Sequence, residues 1–305
     1  MSPHVRSPCR NPRCCKLKVL WGCVFSSSWL TASVPPHVRK YSAALFNLIF
    51  PDDCRLCGSP LEDISRVPVC PACLRKPTAL TSEYFCRDCR TPFRNRFPLD
   101  EDGRCALCRL GLNGFDAAYS FGTFEAELRE LIHVFKYGRV ETLARPLGRF
   151  LRLALPRTER FDAVVPMPLH WMRRWTRGFN QSALLAREIA RRSSLPVRNL
   201  VRRTKSTAPQ AGLTNAGRRA NVSGAFRVPR PERVRGLRIL LVDDVMTTGA
   251  TASACARALK QAGAARVVLL TVARVDRRMD SDAQRLAVME PEQHHAGSLE
   301  GHARA

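Results

Sequence analysis

The sequence predicts an α/β fold in which a mostly parallel sheet is flanked by helices and preceded by a small cysteine-rich domain. Two observations support this prediction. Toward the C-terminal end, four apolar residues (239–242) lead into two carboxylates, a Thr/Gly turn and an Ala-rich helical pattern, which is the order of buried strand, loop and helix. Toward the N-terminal end, eight of the 13 cysteines form four Cys-x-x-Cys pairs. A chain of 305 residues has room for two domains and tails.

The strand, turn and helix at 239–259 have the composition of a sugar-phosphate site. Asp243 and Asp244 end the strand, and their carboxylates suit hydrogen bonds from the vicinal hydroxyls of a ribose. Gly249 lets backbone N–H groups close on a phosphate at the positive end of the helix. A P-loop is excluded because no Gly-Lys-Ser/Thr follows the turn; an ordinary capped helix after a buried strand is the alternative. The predicted phosphate contacts are Thr247, Thr248, Gly249, Ala250 and Thr251.

The four Cys-x-x-Cys pairs predict two structural zinc ions. Each pair makes a tight turn that directs both thiolates at one point, and two turns complete a tetrahedral four-cysteine site. The gaps between successive pairs are 12, 12 and 15 residues. Sequential and crossed pairing of the turns are both open, and the alternatives to zinc are disulfides of a secreted domain or one redox-active pair. The predicted ligands are Cys54, Cys57, Cys70, Cys73, Cys86, Cys89, Cys105 and Cys108.

Positive charge is the strongest compositional bias of the chain. The formal net charge is +24 at pH 7, and residues 171–235 hold sixteen Lys and Arg residues against two acids. Such a surface attracts polyanions, whether a pyrophosphate, a nucleotide or a nucleic-acid backbone. An arginine bias without any ligand is the alternative. We expect four of these cations to lie outside the sugar-phosphate site, namely Arg191, Arg192, Arg202 and Arg203.

The two ends of the chain differ from its middle. Residues 1–44 are basic and predict a poorly ordered extension, and the polar residues 276–305 predict a disordered tail. The apolar run at 17–34 is interrupted by a lysine, a glycine and serines, so we expect neither a signal peptide nor membrane insertion but a cytoplasmic protein. The predicted domains are a double zinc ribbon at 45–112 and an α/β domain at 113–275.

Strands and helices alternate between the two motifs. Residues 115–124 predict a hairpin around Gly122, residues 128–135 and 143–154 predict amphipathic helices, and 161–165 predicts a short strand. This strand opens into a Pro-rich turn and an arginine cluster that includes Arg177, where an open α/β sheet holds its ligand. The planar guanidinium suits a bidentate grip on pyrophosphate; an exposed basic helix start is the alternative. Asn180 is expected to cap the following helix.

Further along the chain, residues 197–202 and 225–228 predict short strands. Between them, the small polar residues at 204–213 form either a lid over the ligand or a plain surface loop.

Several motifs, taken in order, resemble the ComF family over about residues 45–275. That family is similar in fold to type I phosphoribosyltransferases, which use phosphoribosyl pyrophosphate (PRPP); it carries an N-terminal zinc ribbon and is linked to DNA uptake in natural competence. The resemblance implies that Asp243 and Asp244 bind the ribose, residues 247–251 the 5′-phosphate, and Pro168, Leu169 and His170 the pyrophosphate. The motifs are the cysteine block, Lys136-Tyr137-Gly138, residues 168–181, Pro209-Gln210-Ala211-Gly212-Leu213, Arg218-Arg219-Ala220-Asn221 and the acid-pair loop.

The resemblance implies PRPP binding and leaves two functions open. In a transferase, a nitrogen nucleophile displaces pyrophosphate from the anomeric carbon, with Mg²⁺ neutralising the leaving group. Positioning and electrostatics carry that reaction, and Asp243 and Asp244 are its candidate catalytic residues. Nothing in the sequence identifies the acceptor base. The alternative is a non-catalytic accessory protein on the same fold that binds single-stranded DNA and competence proteins.

Overall fold

The computed structural model describes residues 53–61, 66–169, 178–205 and 221–275. The strands are β1 (Tyr84–Phe85), β2 (Pro92–Phe93), β3 (Ala117–Thr123), β4 (Ala163–Pro166), β5 (Arg202–Arg203), β6 (Phe226–Arg227), β7 (Arg238–Met246) and β8 (Arg266–Arg274). The helices are α1 (Pro71–Arg75), α2 (Ala106–Arg109), α3 (Ala126–Tyr137), α4 (Ala144–Ala154), α5 (Gln181–Ser193) and α6 (Ala250–Gln261). Within the described ranges, every helix is too short or too polar to span a lipid bilayer.

Four parallel strands form the central sheet in the order β3-β8-β7-β4. The inner strands β7 and β8 are the longest, and their residues alternate between two apolar layers. Leu240 and Val242 pack into one layer, whereas Ile239 and Leu241 pack into the other. Because an all-parallel sheet is buried on both faces, helices must cover each side. Helices α3, α4 and α5 cover the first face, and α6 with the antiparallel β5–β6 pair covers the second.

The helices over the first face follow the predicted amphipathic patterns. In α3, Leu128, Leu131, Ile132 and Phe135 are buried, and these are the residues of the predicted stripe. Helix α4 packs closely on α5, because a Cβ atom at Gly148 would lie 2.6 Å from Cβ of Glu188. Glycine at this position therefore permits the contact between the two helices.

The cysteine-rich segment lies along the edge strand β3. The backbone N–H of Leu80 donates to the carbonyl of Phe121, and the N–H of Ala118 donates to the carbonyl of Asp88 at 3.0 Å. Buried cysteines of this segment belong to both apolar layers, with Cys54 and Cys73 in the first. Unpaired edge strands invite unwanted pairing with other chains. This segment therefore closes the β3 edge of the sheet.

The structure corrects three expectations about the strands. Residues 117–123 form one strand parallel to β8, so the predicted hairpin around Gly122 is wrong. Position 122 has no room for a side chain, because a Cβ atom there would lie 2.7 Å from the carbonyl oxygen of Thr78. The strands predicted at 197–202 and 225–228 shrink to the two-residue pair β5–β6. Strand β8 has no counterpart among the predicted elements.

Several predicted segments lie outside the described residues. They are the basic extension at 1–44, the tail at 276–305, most of the lid candidate, and the site residues His170 and Arg177. The domain boundary at 112/113 stays a prediction.

Candidate functional site

The acid pair lies near the carboxyl end of β7, which continues for two more residues to Met246. Oδ1 of Asp243 accepts hydrogen bonds from the Ser182 hydroxyl at 2.8 Å and from the backbone N–H of Asp244 at 2.9 Å. Desolvation and, next to it, the charge of Asp244 raise the pKa of Asp243 to about 7. The two carboxylates therefore repel each other in a poorly hydrated environment. Unfavourable electrostatics of this kind are concentrated at functional sites.

Lys136 supplies a cation to this pair from the last turn of α3. Its Nζ lies 2.9 Å from Oδ1 of Asp244, and the side chains are only 16% and 12% exposed. A shielded pair of this kind interacts more strongly than a surface pair. Lys136 thus partly balances the two carboxylates and places a positive charge beside them.

The Thr/Gly turn after β7 has the geometry of an anion cradle. Gly249 has φ 77° and caps α6, a left-handed conformation that glycine adopts without steric cost. The Thr248 hydroxyl accepts from the N–H of Ala250 at 3.3 Å. No acid lies in the first turn of α6, so its N-terminal N–H groups face the turn without a competing negative charge.

A cavity of about 200 Å³ joins these groups, and we call it the acid-pair cavity. Arg203 of β5 lines it, so the expectation that Arg203 lies outside the sugar-phosphate site is wrong. Thr271 of β8 forms part of its wall, with its hydroxyl 2.7 Å from that of Ser120. The other polar or predicted residues that line it are Lys136, Pro168, Leu169, Asp243, Asp244, Thr247, Gly249 and Thr251.

Asn180 fixes the turn that carries Pro168 and Leu169. Its side-chain oxygen accepts from the N–H of Ala183, which is the predicted helix cap, and its Nδ2 donates to the carbonyl of Met167 at 3.1 Å. The N–H of Met167 in turn donates to the carbonyl of Val242 in β7. One amide side chain therefore ties the start of α5 to the loop after β4, on the rim of the acid-pair cavity.

The eight cysteines form two tetrads by sequential pairing of the turns. The first unites Cys54, Cys57, Cys70 and Cys73, and the second Cys86, Cys89, Cys105 and Cys108, with all sulfurs of a tetrad within 4.8 Å of one another.

The sulfur spacing within the tetrads fits a tetrahedral metal site. Neighbouring Sγ atoms lie 3.8 Å apart for Cys57 and Cys70 and 3.6 Å apart for Cys86 and Cys108. A tetrahedral ion with metal–sulfur bonds of about 2.3 Å requires sulfurs about 3.8 Å apart. The spacing is too long for disulfide bonds. Hydrogen bonding with the hydroxyl and the backbone of Ser59 also lowers the pKa of Cys57 to about 6, which favours the metal-binding thiolate.

The sequence-based interpretation assigns no role in this site to four residues that line the acid-pair cavity or contact its lining. Lys136 belongs to a family motif without an assigned role, and Ser182 lies in a helix whose only recognised polar residue is its cap. Arg203 is attributed to a general basic surface. Thr271 lies in a strand that the sequence pattern does not predict. Each is brought to the site by contacts distant in sequence, so no local pattern marks it.

Comparison with known proteins gives a consistent result. A sequence profile of the phosphoribosyl transferase domain matches residues 180–296. The DNA utilization protein YhgH of Escherichia coli is 33% identical over 230 residues, which are 72% of this chain and 96% of that protein. Competence protein F of Haemophilus influenzae is 32% identical over 178 residues, or 56% and 78%. Competence protein ComFC of Bacillus subtilis is 29% identical over 229 residues, or 73% and 84%.

We predict that Asp243→Asn stabilises the protein at alkaline pH. The folded-state pKa of Asp243 is about 7 against an ordinary value of 3.8, so the folded state binds the extra proton. The stability from this group is therefore present below about pH 4 and is lost as the pH rises to about 7. The neutral amide avoids that loss. Urea unfolding at pH 8 should give a gain on the order of 1–2 kcal/mol, shrinking toward pH 5.

The matched control for this prediction is Asp162→Asn. Hydrogen bonds from Arg238 lower the pKa of Asp162, so its charge stabilises the folded state above about pH 4 and its loss should destabilise the protein across that range. A stability difference for Asp243→Asn that does not change between pH 5 and pH 8 would contradict the assignment.

Proposed function

The chain belongs to the ComF family, and on this basis we propose that it binds PRPP at the acid-pair cavity as a phosphoribosyltransferase-like protein of competence and DNA uptake, acting in the cytoplasm. One observation supports this most directly. An acid pair, an anion cradle at a helix start and the Pro168–Leu169 turn surround the same cavity. A ribose requires the first of these parts, its 5′-phosphate the second and its pyrophosphate the third.

The roles follow from the chemistry of each group. Asp243 and Asp244 accept hydrogen bonds from the ribose hydroxyls, and residues 247–251 hold the 5′-phosphate through backbone N–H groups and hydroxyls. The turn at Pro168 and Leu169 receives the pyrophosphate, together with His170 and Arg177. Lys136 and Arg203, which also line the cavity, add positive charge next to the anionic ligand.

A transferase reaction at this site would depend on positioning rather than on a covalent nucleophile. The acid pair fixes the ribose while the cradle and the turn hold its two anionic ends, which leaves the anomeric carbon open to a nitrogen nucleophile. The carboxylate oxygens of Asp243 and Asp244 suit a hard cation, and Mg²⁺ bound with PRPP would neutralise the leaving pyrophosphate. The negative charge of the acid pair also favours the positive charge that develops on the ribose ring.

We propose that both cysteine tetrads hold structural zinc. The donors are four sulfurs each, and the sulfur separations match a tetrahedral ion with metal–sulfur bonds of about 2.3 Å. Backbone N–H groups also point at the sulfurs, such as that of Cys70 at Cys54 (3.3 Å) and that of Cys105 at Cys86 (3.4 Å). Such donors stabilise thiolates. Four protein ligands leave no open position for catalysis.

The second candidate function is that of a single-stranded-DNA-binding accessory protein on the same fold. The sixteen cations of residues 171–235 exceed the needs of one pyrophosphate, and this excess favours a larger polyanion. Arg191 and Arg192 are exposed on α5 and Arg202 is exposed on β5, and none of the three lines the acid-pair cavity. The two functions are compatible in one protein.

We predict two tightly bound zinc ions per chain. Metal analysis of purified protein that finds less than one zinc per chain would rule this out. Cysteines of both tetrads lie in the apolar layers that cover the sheet. We therefore expect chelation to unfold the cysteine-rich segment and also to lower the melting temperature of the α/β domain. Circular dichroism of the sheet and helices during titration with a chelator measures this.

We predict that Asp243→Asn combined with Asp244→Asn abolishes PRPP binding while the protein stays folded. The double change removes the charges and acceptors that face the ribose. Calorimetry with PRPP and Mg²⁺ should show at least a hundredfold loss of affinity, about 3 kcal/mol. The control is Glu101→Gln with Glu141→Gln, two exposed acids with the same charge change. Unchanged PRPP affinity in the folded acid-pair variant would reject the proposed function.

We predict that charge reversal at Arg191, Arg192 and Arg202 weakens binding of single-stranded DNA and leaves PRPP affinity unchanged. Affinity for an oligonucleotide should also fall steeply with salt, because bound phosphates release counterions. A parallel assay of pyrophosphate release from PRPP against a panel of bases separates the two functions, since only a transferase turns over. The accessory function is excluded if wild-type protein fails to bind a single strand at low ionic strength.

A further inference from the structure

A second and larger cavity lies beside the β5–β6 strand pair, and we call it the basic cavity. Its volume is about 670 Å³, within the range of small-molecule sites of roughly 300–1,000 Å³. Four arginines and no acid line it. They come from three segments of the chain: Arg198 before β5, Arg202 in β5, and Arg230 and Arg233 at the short 3₁₀ turn of residues 231–233. None of these residues lines the acid-pair cavity.

Three of the four arginines of the basic cavity have no carboxylate partner in the part of the chain that the structure describes. Among the described residues, no ion pair joins Arg202, Arg230 or Arg233 to a carboxylate. Arg198 acts at a distance on Asp162, but Arg238 already holds both oxygens of that carboxylate at 2.8 and 3.2 Å. The cavity therefore concentrates positive charge that the fold does not neutralise.

The pairing of β5 with β6 adds an independent sign that an anion belongs here. Arg202 lies directly opposite Arg227 in the antiparallel register, so two like charges face each other across the strand pair, an arrangement that destabilises such a pair. The neighbouring pair, Arg203 opposite Phe226, has Arg203 stacked at 5.6 Å over the ring. A bound anion next to Arg202 would relieve the repulsion between the two arginines.

We propose that the basic cavity binds a nucleotide or similar small ligand with two or more phosphates, as a site separate from the acid-pair cavity. Arginine forks match phosphate groups in geometry as well as charge. Four of them exceed the need of one phosphate. Leu200 and Pro229 add apolar surface to the lining, and Asn199 adds an amide, which suit the flat ring and the polar edge of a base. A bare polyphosphate would not need these groups.

The test is calorimetry of the full chain with ATP and with inorganic tripolyphosphate as probes. Arg230→Gln combined with Arg233→Gln should weaken ATP binding at least about tenfold, because charge-assisted hydrogen bonds are lost. The control, Arg149→Gln with Arg152→Gln, makes the same charge change on exposed residues of α4 and should alter affinity less than about twofold. ATP should bind more tightly than tripolyphosphate, since only ATP carries a base.

Several results would overturn the proposal. The first is no binding of either probe to wild-type protein, and the second is an equal loss of affinity in the two double variants, which indicates diffuse surface charge. The third is binding of an oligothymidine strand that depends on Arg230 and Arg233 while neither small probe binds. The folded variant with Asp243→Asn and Asp244→Asn keeps the two sites apart: it should lose PRPP and retain ATP. Loss of ATP binding in that variant would place the probe in the acid-pair cavity instead.

Discussion

The architecture depends on one constraint, which is that β7 and β8 are buried on both faces. An all-parallel sheet of this kind has no wet side, so alternate residues such as Leu240 and Leu241 enter two separate apolar layers. Ionised side chains are then expected near the ends of the strands rather than in the middle of the sheet. Asp243 and Asp244 occur in the last four residues of β7, and α6 begins at Ala250. The position of the candidate site therefore follows from how the sheet is buried.

The same constraint explains why the cysteine-rich segment belongs to the fold. The outer edge of β3 is closed by backbone hydrogen bonds to Leu80 and Asp88, and the segment adds side chains to both layers. Where the structure describes it, this segment has two-residue strands and helices of four and five residues, too little to hold its shape by apolar burial alone. The two cysteine tetrads could hold metal ions, and such cross-links would supply the stability that its small core lacks. Arg274 of β8, which is 2% exposed, donates to the carbonyl of Cys89 and so joins the second tetrad to the sheet directly.

Local sequence signals predicted the parts of the site that local geometry creates. The acid pair, the left-handed Gly249 and the Asn180 cap are each set by a few neighbouring residues, and the cysteine turns likewise specify their own shape. Prediction failed where distant segments decide. Gly122 suggested a turn, but it is required by the close approach of Thr78. The fully apolar residues 267–270 of β8 carry no period that distinguishes a strand from a helix. Lys136 reaches Asp244 from a distant part of the chain, and no spacing rule anticipates that contact.

Strand β5 shows how such distant contacts organise the charge of this protein. Consecutive residues of a strand point to opposite faces, so Arg203 enters the acid-pair cavity while Arg202 enters the basic cavity. The two-residue strand pair β5–β6 that holds both is short and is marginal by itself. A ligand that engages either arginine therefore stabilises this pair, and the stabilised pair is then already present for the other ligand. Because such coupling is reciprocal, an anion in the basic cavity and PRPP in the acid-pair cavity should each tighten the binding of the other.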